Sequence, residues 1–159
     1  LSQRLATGQR AGSALLYSAR SEDSRILAKE REAWRRASLP MTLPVDDPAW
    51  HSPDELTQAT GHRLDAALAL LPSFPDAVLC CGPEAMMLGV GDLLEKRGLS
   101  PDNFWLSLER RMHCGVGLCG HCYVGSSLIC REGPTLPLAR TRELLAQQVA
   151  TRPAWVIAP

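Results

Sequence analysis

Neither sign of charge prevails in this sequence. Lys and Arg number 17, Asp and Glu number 17, and the formal net charge is zero. That balance removes the electrostatic basis for nucleic acid or an anionic membrane as a partner. No apolar run approaches the roughly 18 residues that a membrane span needs, so no membrane span is expected. The N-terminus lacks the basic-then-apolar order of a secretory signal, and a cytoplasmic location is expected. There is no low-complexity tract either. At 159 residues the chain suits one domain, or one domain with a small appendage. It begins at Leu1 and runs directly into helix-like "LSQRLATG", which reads as the continuation of something longer.

What is present alternates regularly. "SALLYS" (13–18) reads as a short buried strand, and "RILAKEREAWRR" (25–36) as a helix capped by Asp23 or Ser24. "MTLPV" (41–45) suits an edge strand because Pro44 cannot donate to an interior ladder. The stretch 46–54 reads as loop. "GHRLDAALALL" (61–71) is helical until Pro72 and Pro75, and "AVLCC" (77–81) is a buried strand. "EAMMLGVGDLLEKRG" (84–98) is an amphipathic helix stopped by Gly98, with Met86 and Met87 as core fillers. "NFWLSL" (103–108) is a last strand, and "LARTRELLAQQVA" (138–150) one more helix. Strand–helix–strand–helix–strand–helix–strand implies an α/β fold with a mainly parallel open sheet.

All six cysteines fall into two groups, Cys80 and Cys81, then Cys114, Cys119, Cys122 and Cys130. Disulfides are disfavoured, because a disulfide scaffold spreads its cysteines along a small secreted chain. The second group is spaced C-x4-C-x2-C-x7-C. Its first three members have the plant-type [2Fe–2S] spacing, where four thiolates hold two irons. A loop wrapped around an anionic cluster must turn backbone N–H groups towards sulfur, and glycine reaches the required positive φ cheaply. Gly115, Gly117 and Gly120 alternate with the cysteines accordingly. Zinc is the alternative, since Cys119 and Cys122 have knuckle spacing, but the second knuckle that such sites use is missing. His113 and His121 are candidate ligands or surface residues.

Two further places carry candidate chemistry. Cys81, Gly82 and Pro83 lie where a strand meets a helix, the position at which open α/β sheets bind ligands. A small buried residue and a helix-starting proline explain the same letters. Arg20 follows the first strand, where an arginine can accept the 2′-phosphate of NADP. The nearby acids Glu22 and Asp23 keep the NAD reading open. "LLYS" is not a flavin motif, for it lacks an arginine two residues before the tyrosine.

"LLYSARSED", "LCCGPEAMM" and "FWLSLERRMHCGVGLCGHCYVGSSLICREGP", in that order, resemble the C-terminal half of ferredoxin–NADP reductase-like electron-transfer subunits. The gamma subunit of cytosolic nickel–iron hydrogenase or sulfhydrogenase is the nearest type. The B subunit of anaerobic sulfite reductase and the electron-transfer subunit of dihydroorotate dehydrogenase are related types. The resemblance covers residues 10–135, and the seven-residue gap before Cys130 favours the hydrogenase and sulfite reductase types.

That resemblance implies a nucleotide-binding sheet of the ferredoxin reductase type at 1–111 with its N-terminal part missing. A small [2Fe–2S] lobe would follow at 112–134, and a C-terminal helix and tail at 135–159. It implies Cys114, Cys119, Cys122 and Cys130 as cluster ligands, Cys81-Gly82-Pro83 beside the nicotinamide, and Arg20 at the adenosine end. Hydride would pass between NAD(P)H and flavin, and single electrons between flavin, cluster and a hydrogenase- or sulfite-reductase-like partner. The family's FAD barrel and Gly-rich turn have no counterpart here. The chain is therefore expected to hold NAD(P) weakly, to bind no FAD, and to be inactive alone, as one part of an NAD(P)H-dependent complex. A docking and relay module, or a zinc-stabilised binding domain, are the alternatives.

Overall fold

A computed structural model describes residues 12–45 and 53–150, which divide between two units, Leu1–Pro75 and Asp76–Pro159. The "LSQRLATG" start, most of the expected 46–54 loop and the "RPAWVIAP" end lie outside the described residues.

In the first unit, strand β1 (Leu15–Leu16) pairs in parallel with β2 (Met41–Thr42), and an Ala19–Val45 bridge extends the pairing. Helix α1 (Ala28–Arg36) connects them and buries Trp34. It starts later than the pattern predicts, leaving Ile26 and Leu27 exposed. The expected Asp23 or Ser24 cap is not used. Leu27, at φ 59°, takes the N-cap position without a side-chain bond. Ser24 instead bonds with Ser21, the N–H of each reaching the other's hydroxyl at 3.2 and 3.0 Å. That local turn competes with capping. Helix α2 (Pro53–Leu68) starts well before Gly61, so Pro53 and Asp54 are helical rather than loop. Proline suits a first helical turn because the N–H it lacks has no intrahelical acceptor there. Leu64 and Ala67 of α2 are buried, and the helix packs on β1 and β2.

In the second unit, β3 (Val78–Cys81) runs parallel to β4 (Phe104–Ser107), with Cys80 opposite Leu106 and Cys81 opposite Ser107. Strand β4 alternates, with Phe104 and Leu106 buried and Trp105 exposed, as a strand with one covered face must. Helix α3 (Glu84–Glu95) joins the two strands. Gly98 ends its last turn at φ 100°. Its N–H bonds to Glu95 C=O at 2.9 Å and the Leu99 N–H to Leu94 C=O at 3.1 Å, a Schellman closure.

A hairpin, β5 (Tyr123–Val124) and β6 (Ser127–Leu128), leads into the single-turn helix α4 (Ile129–Glu132). Strand β7 (Thr135–Pro137) then pairs antiparallel with β4, and α5 (Leu138–Ala150) packs over β4, β5 and β7. Met87, Leu94, Phe104, Leu106, Val124, Ile129, Leu138 and Leu144 form the core of this unit. Helices α3 and α5 approach closely at Gly91, where a Cβ would stand 2.6 Å from Leu138 Cδ2. Arg142 ties them at the surface by ion pairs with Asp92 and, at 2.7 Å, Glu95.

The predicted order of strands and helices is therefore present, and the fold is mixed α/β. Parallel pairing occurs twice, but the described strands make three small sheets, ordered β1-β2, β3-β4-β7 and β5-β6. The antiparallel β7 was not expected. "TLP" is too short and too polar to announce a strand, and it is recruited by the free edge of β4.

Candidate functional site

Leu108 N–H donates to Pro134 C=O at 2.7 Å, so the chain leaves β4 and returns to β7 at one place. The excursion between them holds Cys114, Cys119, Cys122 and Cys130.

The later half of the excursion is rooted in the core. Gly125 turns the hairpin at φ 55°, and a Cβ there would stand 2.4 Å from the Leu144 carbonyl oxygen of α5. Ser126 N–H also reaches Gln147 Oε1 at 3.2 Å. Cys122 is buried just before β5, and its C=O accepts from Ile129 N–H at 3.3 Å. Cys130 sits in α4 beside fully buried Ile129. The buried Ser127 hydroxyl donates to Glu132 at 2.9 Å and accepts from Arg140 at 3.3 Å, binding α4 to both the hairpin and α5.

The earlier half is an exposed loop without regular structure. Gly115, Gly117 and Gly120 have φ of 69°, 81° and 74°, as a left-handed path requires. This path turns the Val116, Leu118 and Cys119 N–H groups onto Cys114 Sγ, at 3.5, 3.3 and 3.4 Å. Those donors, Val116 first, hold the Cys114 thiol below its ordinary pKa. The His121 and Cys114 N–H groups and the Cys114 side chain bring Cys119 down to about 7. Cys130 is pushed up by the touching Cys122 thiol and by burial, against the Gly117 N–H. The thiols of Cys114 and Cys119 influence one another, as do those of Cys122 and Cys130, and the Cys114 charge also acts on Cys130.

This donor set fits a two-iron cluster, in which two thiolates serve each iron. The N–H groups already face sulfur, where thiolate charge would need them. Among the described residues no three Cys, His, Asp or Glu side chains are gathered as one metal ion would need. His113 and His121 are exposed, and their ring centroids stand 4.1 Å apart.

The structure also describes the other candidates. Cys81 ends β3 exposed, whereas burial, and then the charge of Cys81, push Cys80 up to about 11. Gly82 has φ 151°, and a Cβ there would meet Met86 Cε at 2.4 Å. Pro83 is the N-cap of α3. A cavity of about 360 Å³ opens at this strand end, lined by Gly82, Pro83, Glu84, Leu108, Glu109 and Arg110 among others. Cys81 is not among its lining residues. Arg110 pairs with Glu84 at 2.6 Å, linking the first turn of α3 to the segment that enters the cysteine loop. Arg20 belongs to the first unit, where it is exposed after the Ala19–Val45 bridge.

Comparison with known proteins bears on the segment that holds these cysteines. Residues 109–141 match the family described as the iron–sulfur cluster binding domain of dihydroorotate dehydrogenase B. Sulfhydrogenase 2 subunit gamma of Pyrococcus furiosus is 53% identical over 60 residues, covering 35% of this chain and 21% of that protein. A probable dihydroorotate dehydrogenase B (NAD(+)) electron transfer subunit of the same organism is 32% identical over 122 residues, 77% of this chain and 43% of its own length. The chain is homologous to these redox subunits. Its matches span less than half the length of either relative. A chain of the NADH-dependent reduced ferredoxin–NADP oxidoreductase structure aligns with 21% identity and a TM-score of 0.46, over 87% of this chain and 58% of that one.

Around the iron–sulfur-binding segment lie residues that sequence spacing did not single out. Met112, Val116, Leu118 and Tyr123 are exposed apolar side chains, Leu118 to 86%. A hydrophobic letter in a glycine-rich loop carries no periodicity from which its exposure is readable. Arg110 and Glu84 are 26 residues apart in sequence, and only the parallel β3–β4 register brings them together.

Proposed function

We propose that the chain is the cluster-bearing part of an electron-transfer subunit, with Cys114, Cys119, Cys122 and Cys130 as ligands of a [2Fe–2S] centre. The observation that carries this reading is the convergence of the Val116, Leu118 and Cys119 N–H groups on Cys114 Sγ, in a loop turned by left-handed glycines. When bound, such a centre supplies single-electron transfer. The residues of this chain hold it and set its surroundings. The Cys122–Cys130 pair anchors it to the core, the N–H groups of the glycine loop stabilise thiolate charge, and the exposed loop leaves a short path to solvent or to a partner.

In the proposed arrangement, residues 1–111 belong to a nucleotide-binding-like α/β domain, 112–134 are the cluster lobe and 135–159 a C-terminal helix and tail. The open sheet of ferredoxin reductase type belongs to the whole subunit. The cavity beside Gly82 and Pro83 would take the nicotinamide end of NAD(P). Its charged rim is Glu84, Glu109 and Arg110, a mixed set better suited to an amide-bearing ring than to phosphate. Arg20 would meet the adenosine end. FAD would be held by the rest of the complex. The exposed apolar residues of the loop would dock on a hydrogenase- or sulfite-reductase-like subunit, since clustered exposed apolar side chains mark interaction surfaces. A cytoplasmic setting, where thiols stay reduced, suits this chemistry. Among the described residues no helix is long and apolar enough to cross a membrane.

The test is the visible spectrum of protein purified without oxygen, with iron, sulfide and zinc assayed on the same sample. The expected result is a brown protein with about two irons and two sulfides per chain. A colourless protein with about one zinc would overturn the reading and leave the loop a structural knuckle.

A further inference from the structure

Arg131 directly follows Cys130, and the geometry of its side chain is not explained by ligand spacing. A Cβ placed on Gly117 would stand 2.3 Å from Arg131 Cδ, 3.0 Å from Cγ and 3.5 Å from Nε. The stem of Arg131 therefore lies flat on the Gly117 backbone, in the middle of the cysteine loop, and only glycine leaves it room. The N–H of Gly117 in turn acts on the Cys130 thiol, opposing the upward push from Cys122. Arg110, Arg140 and Arg142 all have carboxylate partners. Arg131 has no hydrogen bond or ion pair among the described residues.

We propose that Arg131 is a positioning residue for charge, holding a permanent cation against the cysteine loop and raising the reduction potential of the centre bound there. This rests on the iron–sulfur reading above. Reduction adds one electron to a group that is already anionic, and a fixed positive charge nearby stabilises the more negative state by Coulomb attraction. Arginine suits the task because its guanidinium stays charged at every working pH, and its long apolar stem can pack while the head remains wet. Since Arg131 is an exposed residue, salt must weaken the effect.

The experiment is a potentiometric titration of the iron-loaded protein with dithionite and mediators, read by visible absorption and electron paramagnetic resonance. It compares wild type with Arg131→Met, Arg131→Gln and Arg131→Lys, each at low and high salt. Met keeps a stem over Gly117 without charge, Gln is a second neutral replacement, and Lys keeps charge. Both neutral variants are expected to titrate at more negative potential than wild type, with Lys close to wild type and the gap narrowing at high salt. Loaded neutral variants that titrate with the wild type, or a shift that salt does not reduce and Lys does not restore, would overturn this inference alone. So would failure of both neutral variants to load iron while Lys loads, which would assign the charge to assembly. Wild-type protein without iron and sulfide would overturn the underlying reading as well.

Discussion

The two halves of the cysteine segment solve different problems. Cys122 and Cys130 are placed by tertiary structure, through the hairpin turned at Gly125, the buried Val124 and Ile129, and the Ser127 hydroxyl bonds. Cys114 and Cys119 are placed by local backbone, through three left-handed glycines that turn N–H groups onto sulfur. The half rooted in the core fixes where the site is. The exposed half sets how much charge the sulfurs can carry and what touches the site from outside. A redox centre needs both, since a rigid attachment limits reorganisation and an exposed edge allows transfer.

The strongest way to break the comparison is to remove a sulfur from each half. Cys119→Ser and Cys122→Ser are both expected to abolish the visible absorption of the anaerobically purified protein. Cys119→Ser should leave the circular dichroism unchanged, because Cys119 is exposed. An unchanged spectrum in either variant would remove that residue from the ligand set.

Next in size is thiol reactivity in metal-free protein. With Cys119 near 7 and Cys80 near 11, the thiolate of Cys119 appears as pH rises through neutrality and that of Cys80 only well above it. Alkylation near neutral pH, followed by mass spectrometry, should modify Cys119 faster by about 10²-fold, after its weaker intrinsic nucleophilicity offsets part of the thiolate advantage. Equal rates would mean that the N–H cradle forms only around a cluster.

Smaller effects separate anchoring from exposure. Ile129→Ala should cost about 2–5 kcal/mol in denaturant unfolding, the range for truncating a fully buried side chain. Ser127→Ala should cost about 1 kcal/mol, by removing the bonds that hold α4 to the hairpin and α5. Leu118→Ser should change stability by less than about 0.5 kcal/mol, as exposed substitutions do, yet weaken binding to the redox subunit proposed above as its partner. A large stability loss at Leu118 would show that the loop is part of the core after all.

Much of the candidate site is legible in the amino-acid sequence. C-x4-C-x2-C-x7-C with interleaved glycines carries its meaning in spacing, because thiolates at those separations, on a backbone free to take positive φ, can surround a small anionic group. The strands at 78–81 and 104–107 and the helices at 84–95 and 138–150 are equally readable from apolar pattern and stop signals. Helix α2 is longer than its pattern suggests, because Gly61 looks like a boundary while the proline-rich letters before it conceal a helix start at Pro53. The first helix goes without the cap its sequence offers, because Ser21 and Ser24 spend their hydroxyls on each other.

By itself the sequence determined the local pattern: which cysteines carry the spacing of cluster ligands, where the backbone can turn left-handed, and the succession of strands and helices. These follow from single residues and short spacings, where steric and covalent limits dominate. The tertiary structure alone decided that β7 closes onto β4, that Arg110 meets Glu84, that Arg131 lies across Gly117, and that Leu118 stands in solvent while Ile129 is sealed. Those outcomes depend on which surfaces are left free once the core has packed, a competition among distant residues that no local pattern encodes.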